Sequence, residues 1–141
     1  MRLTIQTDYA LRTLMYLATF AGRATSAQIA GLFGISANHV AKVVNQLARL
    51  GYVRSIRGIG GGIELARDPG TVQIGRVIED FEGSMRLLEC VDTDNICAIE
   101  KFCKLKNVLS EAEQLQRNYL NSVTLADVIP AKNQLKSVAA D

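Results

Sequence analysis

Thr25-Ser26-Ala-Gln-Ile29-Ala-Gly-Leu32-Phe33-Gly34-Ile-Ser36-Ala-Asn38-His39-Val40-Ala-Lys42-Val43-Val44-Asn45-Gln46-Leu47-Ala-Arg49-Leu50 reads as two helices joined by a tight turn. Thr25 or Ser26 caps the first, and Ile29, Leu32 and Phe33 fall on one face of it. Gly34 supplies a left-handed stop, and Ser36 opens the second helix. On that helix Val40, Val43, Val44, Leu47 and Leu50 form an inward stripe, whereas Asn38, His39, Lys42, Asn45, Gln46 and Arg49 face outward. A short helix, a glycine-containing turn and a capped helix form a helix-turn-helix, whose second helix enters the major groove. Asn and Gln can pair with adenine there, and Lys can donate to guanine.

Beyond Leu50 the pattern changes period. Gly51 stops the helix, Tyr52 to Arg57 alternates as a strand does, Gly58 to Gly62 turns the chain, and Ile63 to Leu65 returns it. A hairpin directly after a recognition helix is a wing. Arg54 and Arg57 are expected near its tip, with Gly60 and Gly61 letting backbone approach phosphate. A glycine-rich nucleotide loop is rejected, because a strand follows these glycines where a helix N-terminus would be required. Ahead of the two helices, Thr7 is read as the cap of a first helix with Asp8 in its first turn. Its apolar positions are Leu11, Leu14, Met15, Leu17 and Ala18, Tyr9 and Arg12 lie out of phase with them, and Gly22 ends it.

Asp68-Pro69-Gly70 is a turn, and Ile74, Val77, Ile78 and Phe81 mark a fourth, acidic helix that Gly83-Ser84 breaks. From about Phe102 a long helix carries Leu105, Val108, Leu109, Ala112, Leu115, Tyr119, Leu120 and Val123 at spacings of three and four. That stripe is too long for so small a core to cover, and a second subunit is expected on it. Thr124 to Asp127 opens a closing turn that Pro130 ends. The expected fold is mainly α with a small β wing. It comprises a winged helix-turn-helix DNA-binding domain (1–82), a cysteine loop (83–103), a dimerisation helix and closing turn (104–129) and a flexible tail (130–141).

Cys90, Cys97 and Cys103 are the three cysteines of the chain, separated by gaps of six and five residues. An odd count leaves one thiol over from any disulfide, and zinc sites show Cys-x2-Cys pairs and four ligands. Thiolates are the usual ligands of iron–sulfur clusters. Small buried hydrophobes, a metal-free thiol switch and a cluster site all stay open on spacing alone.

The net charge of +2 hides an asymmetry: residues 1–67 carry eight Lys/Arg and two Asp/Glu, and residues 68–141 carry eight and twelve. The excess of six positive charges lies on the half that carries the helix-turn-helix, which points to a polyanion partner for that half. The opening residues lack a signal-peptide run and no window is apolar enough to span a membrane, so a cytoplasmic chain is expected. There is no Ser/His/Asp set, no carboxylate pair in a plausible cleft and no nucleotide loop, the single His39 has a better role on the recognition helix, and an enzyme is not expected.

The chain resembles the Rrf-two family of bacterial winged-helix regulators over about residues 1–129. The resemblance rests on Met1 to Thr4, Thr7 to Arg12, Asn38 to Leu47, Leu50 to Val53, Arg57 to Gly62, the three cysteines and Thr124 to Asp127. The Asn38-His39 helix and the Thr124 segment look most like the family's nitric-oxide-sensing branch. The resemblance implies a homodimeric repressor of a palindromic promoter site. It also implies an iron–sulfur cluster on Cys90, Cys97 and Cys103, [4Fe–4S] favoured over [2Fe–2S], with nitric oxide as signal. Three cysteines leave one iron site unfilled. A histidine three residues past the last cysteine fills it in another branch, but here Lys106 stands at that position. The nitric-oxide-sensing branch can use an aspartate that Asp8 of the partner subunit matches. The DNA-contacting set is Arg2, Ser26, Ser36, Asn38, His39, Lys42, Asn45, Arg54, Arg57, Gly60 and Gly61. A sensor of iron or cluster supply is the alternative within the family.

Overall fold

A computed structural model describes residues 2–91, 93, 94 and 96–139. The helices are α1 (Ile5–Phe20), α2 (Ser26–Phe33), α3 (Ala37–Arg49), α4 (Ile74–Glu82), α5 (Lys104–Ser122), α6 (Leu125–Val128) and α7 (Lys132–Ala139). Strands β1 (Val53–Ile56) and β2 (Gly62–Leu65) form one antiparallel hairpin, pairing Val53 with Leu65 and Ile56 with Gly62. This is the expected winged helix-turn-helix with a long helix following it.

One apolar cluster holds the domain together. Leu14 and Leu17 of α1, Ile29 of α2, Val40 and Leu47 of α3, Val77 of α4, and Tyr52, Val53 and Ile63 of the hairpin are all buried in it. The α3 stripe faces inward as its spacing requires. Leu125 of α6 is buried in the same cluster, so the chain returns to the winged-helix core after α5. Two backbone bonds secure that return: Ile74 N–H to Val123 O at 2.9 Å and Leu125 N–H to Val72 O at 2.7 Å. Thr124 and Asp127 form a capping box at the head of α6.

Four local expectations are corrected. Thr4, not Thr7, caps α1: its hydroxyl accepts from the Thr7 amide at 3.3 Å, and Thr7 lies fully buried inside the helix. Ala21, not Gly22, closes α1 in the left-handed conformation at φ 48°. Arg54 is not near the wing tip: it faces Glu64 in mid-strand and gives it a 2.6 Å hydrogen bond. The tail contains the helix α7, which lies against α2, while positions 140 and 141 fall outside the described residues. No helix among the described residues is long and apolar enough to cross a membrane.

Candidate nucleic-acid interface

The turn between α2 and α3 is built by Gly34 at φ 63° and by the Ile35 amide, which donates to Ala30 O at 3.0 Å. Thr25 and Gln28 form a full capping box at the head of α2, leaving Ser26 half-buried in its first turn. Ser36 is the N-cap of α3 but makes no side-chain capping bond, so its hydroxyl is available to a ligand at the helix N-terminus. Asn38, His39, Lys42, Asn45 and Arg49 are exposed along one face of α3, and Gln46 is half-buried. His39 leans toward Tyr9 of α1, ring centroids 6.2 Å apart. Arg2 is exposed just before α1.

The wing projects beside this face. Its tip is Arg57-Gly58-Ile59-Gly60-Gly61, with Gly58 at φ 96° and Gly60 at φ 72°. Arg57 is exposed, and Ile59 stands completely clear of the protein. A Cβ on Gly61 would lie 2.4 Å from Ile56 O and 2.8 Å from Gly58 O, so the turn closes only around glycine. Gly61→Ala is expected to weaken sequence-specific DNA binding by about tenfold. The exposed tip can open without disturbing the core, so the thermal midpoint should hold. Titration of duplex DNA beside a melting curve checks both halves of that expectation.

Sequence reasoning missed the carboxylates that tie the site together. Glu64 accepts from Arg54 and also from Arg23 Nε at 3.1 Å. The two guanidinium hydrogen bonds, Arg54's first, hold its carboxyl below the usual range. Arg54 stands opposite Glu64 only in the register that pairs Ile56 with Gly62 across a five-residue turn; a four-residue turn closed by Gly58 and Gly61 would set it opposite Leu65. Glu82, the last residue of α4, accepts from the Thr4 amide at 2.7 Å, from the Thr4 hydroxyl at 2.9 Å and from the Thr7 hydroxyl. No local sequence signal links residues 78 positions apart.

The cysteine loop lies between α4 and α5. Cys90 is partly buried in a short 3-10 turn, Cys97 is exposed, and Cys103 is the N-cap of α5. Near its start, the buried Glu113 of α5 accepts from the Leu87 amide. Lys106 closes the loop from the other side, giving its ammonium to Glu100 at 2.7 Å and Asp94 at 3.1 Å. These two partners, Glu100 first, raise its pKa and favour the ammonium form. Asp8 bonds Arg12 at 2.9 Å on the exposed side of α1. No three His, Cys, Asp or Glu side chains come together as a metal-holding group among the described residues. The donor chemistry nevertheless suits iron and sulfide: three soft thiols on irregular backbone. Around them Leu88, Ile96, Ile99 and Phe102 are left exposed.

The pattern of the Rrf2 (Rrf-two) family, described as "Iron-dependent Transcriptional regulator", matches residues 3–131. The chain belongs to the Rrf2 family. It is 42% identical over 138 residues to the HTH-type transcriptional regulator NsrR of Bacillus subtilis (strain 168), covering 96% of this chain and 94% of that one. The NsrR of Shouchella clausii (strain KSM-K16) is 37% identical over 141 residues, covering 98% and 95%. Among solved structures, CymR, the global cysteine regulator of B. subtilis, superposes with a TM-score of 0.77 at 24% identity, covering 92% of this chain and 96% of that one. At that identity the likeness is one of fold. As an Rrf2 protein with an exposed recognition helix and wing, the chain is a DNA-binding transcriptional regulator and not an enzyme.

Proposed function

We propose that this Rrf2 protein is a homodimeric repressor whose grip on a palindromic promoter site is set by an iron–sulfur cluster and released by nitric oxide. One observation carries the reading. All three cysteines lie in a single loop whose near end is tied to α1 through Glu82 and whose body is tied to α5 through Glu113 and Lys106. A change of loop shape is therefore felt at the head of α1, and α1 packs on the recognition helix. The likeness in sequence to two proteins named NsrR supports the nitric-oxide branch.

Cys90, Cys97 and Cys103 would hold the cluster, [4Fe–4S] in preference to [2Fe–2S], with Asp8 of the partner subunit in the fourth place. When bound, the cluster would supply redox chemistry and reactivity toward nitric oxide. The protein's own part is mechanical. Asp8 bonds Arg12 through one oxygen at the head of α1, so as a ligand it would couple the cluster to that helix. Arg2, Ser26, Ser36, Asn38, His39, Lys42, Asn45, Arg57, Gly60 and Gly61 then meet the DNA, with Arg54 shared between Glu64 and phosphate. The dimer follows from α5. Leu105, Val108, Ala112, Leu115 and Tyr119 are exposed at alternating spacings of three and four, the seam of a coiled coil. Two-fold pairing along it would present two recognition helices to half-sites about 34 Å apart.

Cys97→Ala is the deciding variant, because Cys97 is exposed and its loss leaves the core alone. The variant is expected to stay dimeric in sedimentation, to lose iron when purified without oxygen, and to lose specific DNA binding. An iron-free Cys97→Ala protein that still bound the promoter tightly would sink the proposal. A second reading, sensing of iron supply by the same cysteines, draws on the family's description as iron-dependent. DNA binding that follows iron supply and ignores nitric oxide would favour it.

A further inference from the structure

Arg23 lies in the connection between α1 and α2, outside the elements that read DNA, yet its side chain reaches the wing. Its Nη1 donates to the Gly60 carbonyl at 2.9 Å, and its Nε donates to Glu64 Oε2 at 3.1 Å. The other oxygen of Glu64 is taken by Arg54 at 2.6 Å. Directly beside this contact Ala24 and Ile63 exchange two backbone hydrogen bonds of 2.9 and 2.7 Å, which fix the start of β2. The tip beyond is different. Gly58-Ile59-Gly60-Gly61 is closed by the Gly61 amide on Gly58 O at 3.0 Å. A tip made mostly of glycine has much backbone freedom to lose on docking. Arg23 removes part of that freedom in advance, because one planar guanidinium engages the tip and the strand together.

We propose that Arg23 is the positioning residue of the wing, holding the tip in its DNA-contacting geometry by gripping Gly60 and Glu64 at once. It is not itself a phosphate ligand. The inference rests on the reading above that the wing touches DNA. It also explains a carboxylate on a surface that meets a polyanion: Glu64 is the anchor that the fork needs. Exposed ion pairs of this kind add little to folding stability, so the effect of breaking this one belongs to binding.

The test uses the full-length holo dimer and a duplex selected from random-sequence DNA by the wild-type protein. R23K keeps the charge but has no fork, and R23Q loses both. Each is expected to bind that duplex about tenfold more weakly, since preorganisation is lost in both. R23K should keep the wild-type salt dependence, and hydrogen exchange at Gly60 to Gly62 should quicken in both. E64Q removes the anchor. It should weaken the selected duplex in the same way while tightening a random duplex, because two arginines are freed. If R23K binds like wild type while R23Q loses about one unit of salt slope, Arg23 is a phosphate ligand and the proposal is wrong. R57A separates the levels. If R57A weakens binding and R23K does not, the brace alone fails; if R57A has no effect, the wing reading fails and the brace with it.

Discussion

Glu82→Ala is expected to lower the unfolding free energy by about 2–3 kcal/mol, less than the sum of its bonds because the carboxylate is partly exposed to water. In a chain of this size that is roughly a 10 °C fall in the thermal midpoint. One carboxylate oxygen accepts from the Thr4 amide, the Thr4 hydroxyl and the Thr7 hydroxyl, and a bond to a charged acceptor contributes more than a neutral one. Thr7 is fully buried, so its hydroxyl would lose its charged acceptor and keep only the Thr4 hydroxyl, 3.0 Å away, with no water to replace what is lost. The same change unfastens the head of α1 from the end of α4, and specific DNA binding should weaken with it. Glu82→Gln keeps the shape and loses the charge, and should recover about half of the loss. Burial alone would raise the pKa of Glu82, but the Thr7 and Thr4 hydrogen bonds outweigh it and hold the group below its ordinary value of 4.5. A depressed carboxylate stabilises the fold above the unfolded value and ceases to do so as pH falls through the folded one. The gap in midpoint between wild type and Glu82→Gln should thus be full at neutral pH and close below about pH 4.5. A gap that does not change with pH would show that the charge of Glu82 is not what holds α1.

The elements of this fold are legible because each is announced locally. The valines and leucine of α3 repeat on one face, the glycines of the wing sit where the chain must reverse, and Thr124 and Asp127 pair three residues apart. The start of α1 is ambiguous in sequence because Thr4 and Thr7 are both good caps and both donate to Glu82; the Thr7 amide on the Thr4 hydroxyl makes Thr4 the cap. Ala21 was missed because glycine is the usual left-handed stop and Gly22 stood next to it. The helix in the tail has a weak pattern of its own and rests against α2, a contact that sequence spacing does not reveal.

The candidate site divides in the same way. The outward face of α3 follows from its inward stripe, since a helix buried on one side must present the rest. The stripe of α5 was legible as apolar but not as two faces. Leu109 and Leu120 are partly covered, whereas Leu105, Val108, Leu115 and Tyr119 stand exposed. The ion pair that holds the wing, Arg23 with Glu64, joins residues 41 positions apart, and Lys106 with Glu100, six apart, spans the irregular turn ahead of α5, so neither falls at a spacing that a helix or strand would announce. Lys106 shows what such contacts change. Read as a departure from a histidine ligand, it proves to be a cation closing the loop from α5.

Gly75→Ala should destabilise the protein by about 2 kcal/mol, although alanine favours helix over glycine by about 0.5–1 kcal/mol. Gly75 is buried where α4 crosses α5. A Cβ there would lie 2.3 Å from Asn121 Oδ1 and 2.8 Å from the Asn121 amide nitrogen. The side chain can swing away, and its buried oxygen has no hydrogen-bond partner to hold it. The amide nitrogen cannot yield unless α5 itself moves. Such movement pulls on the bonds that return the chain to the core, Ile74 to Val123 and Leu125 to Val72. It also shifts the exposed apolar seam of α5 relative to the winged helix, so the spacing of paired recognition helices should change with it. The double variant Gly75→Ala with Asn121→Ala separates the two obstacles. It removes the 2.3 Å contact and leaves the 2.8 Å one, and should recover only part of the lost stability. Full recovery would place the whole cost on the asparagine side chain. A rise in the midpoint of the single variant, as helix propensity alone demands, would mean that α4 and α5 do not approach as closely as this packing requires.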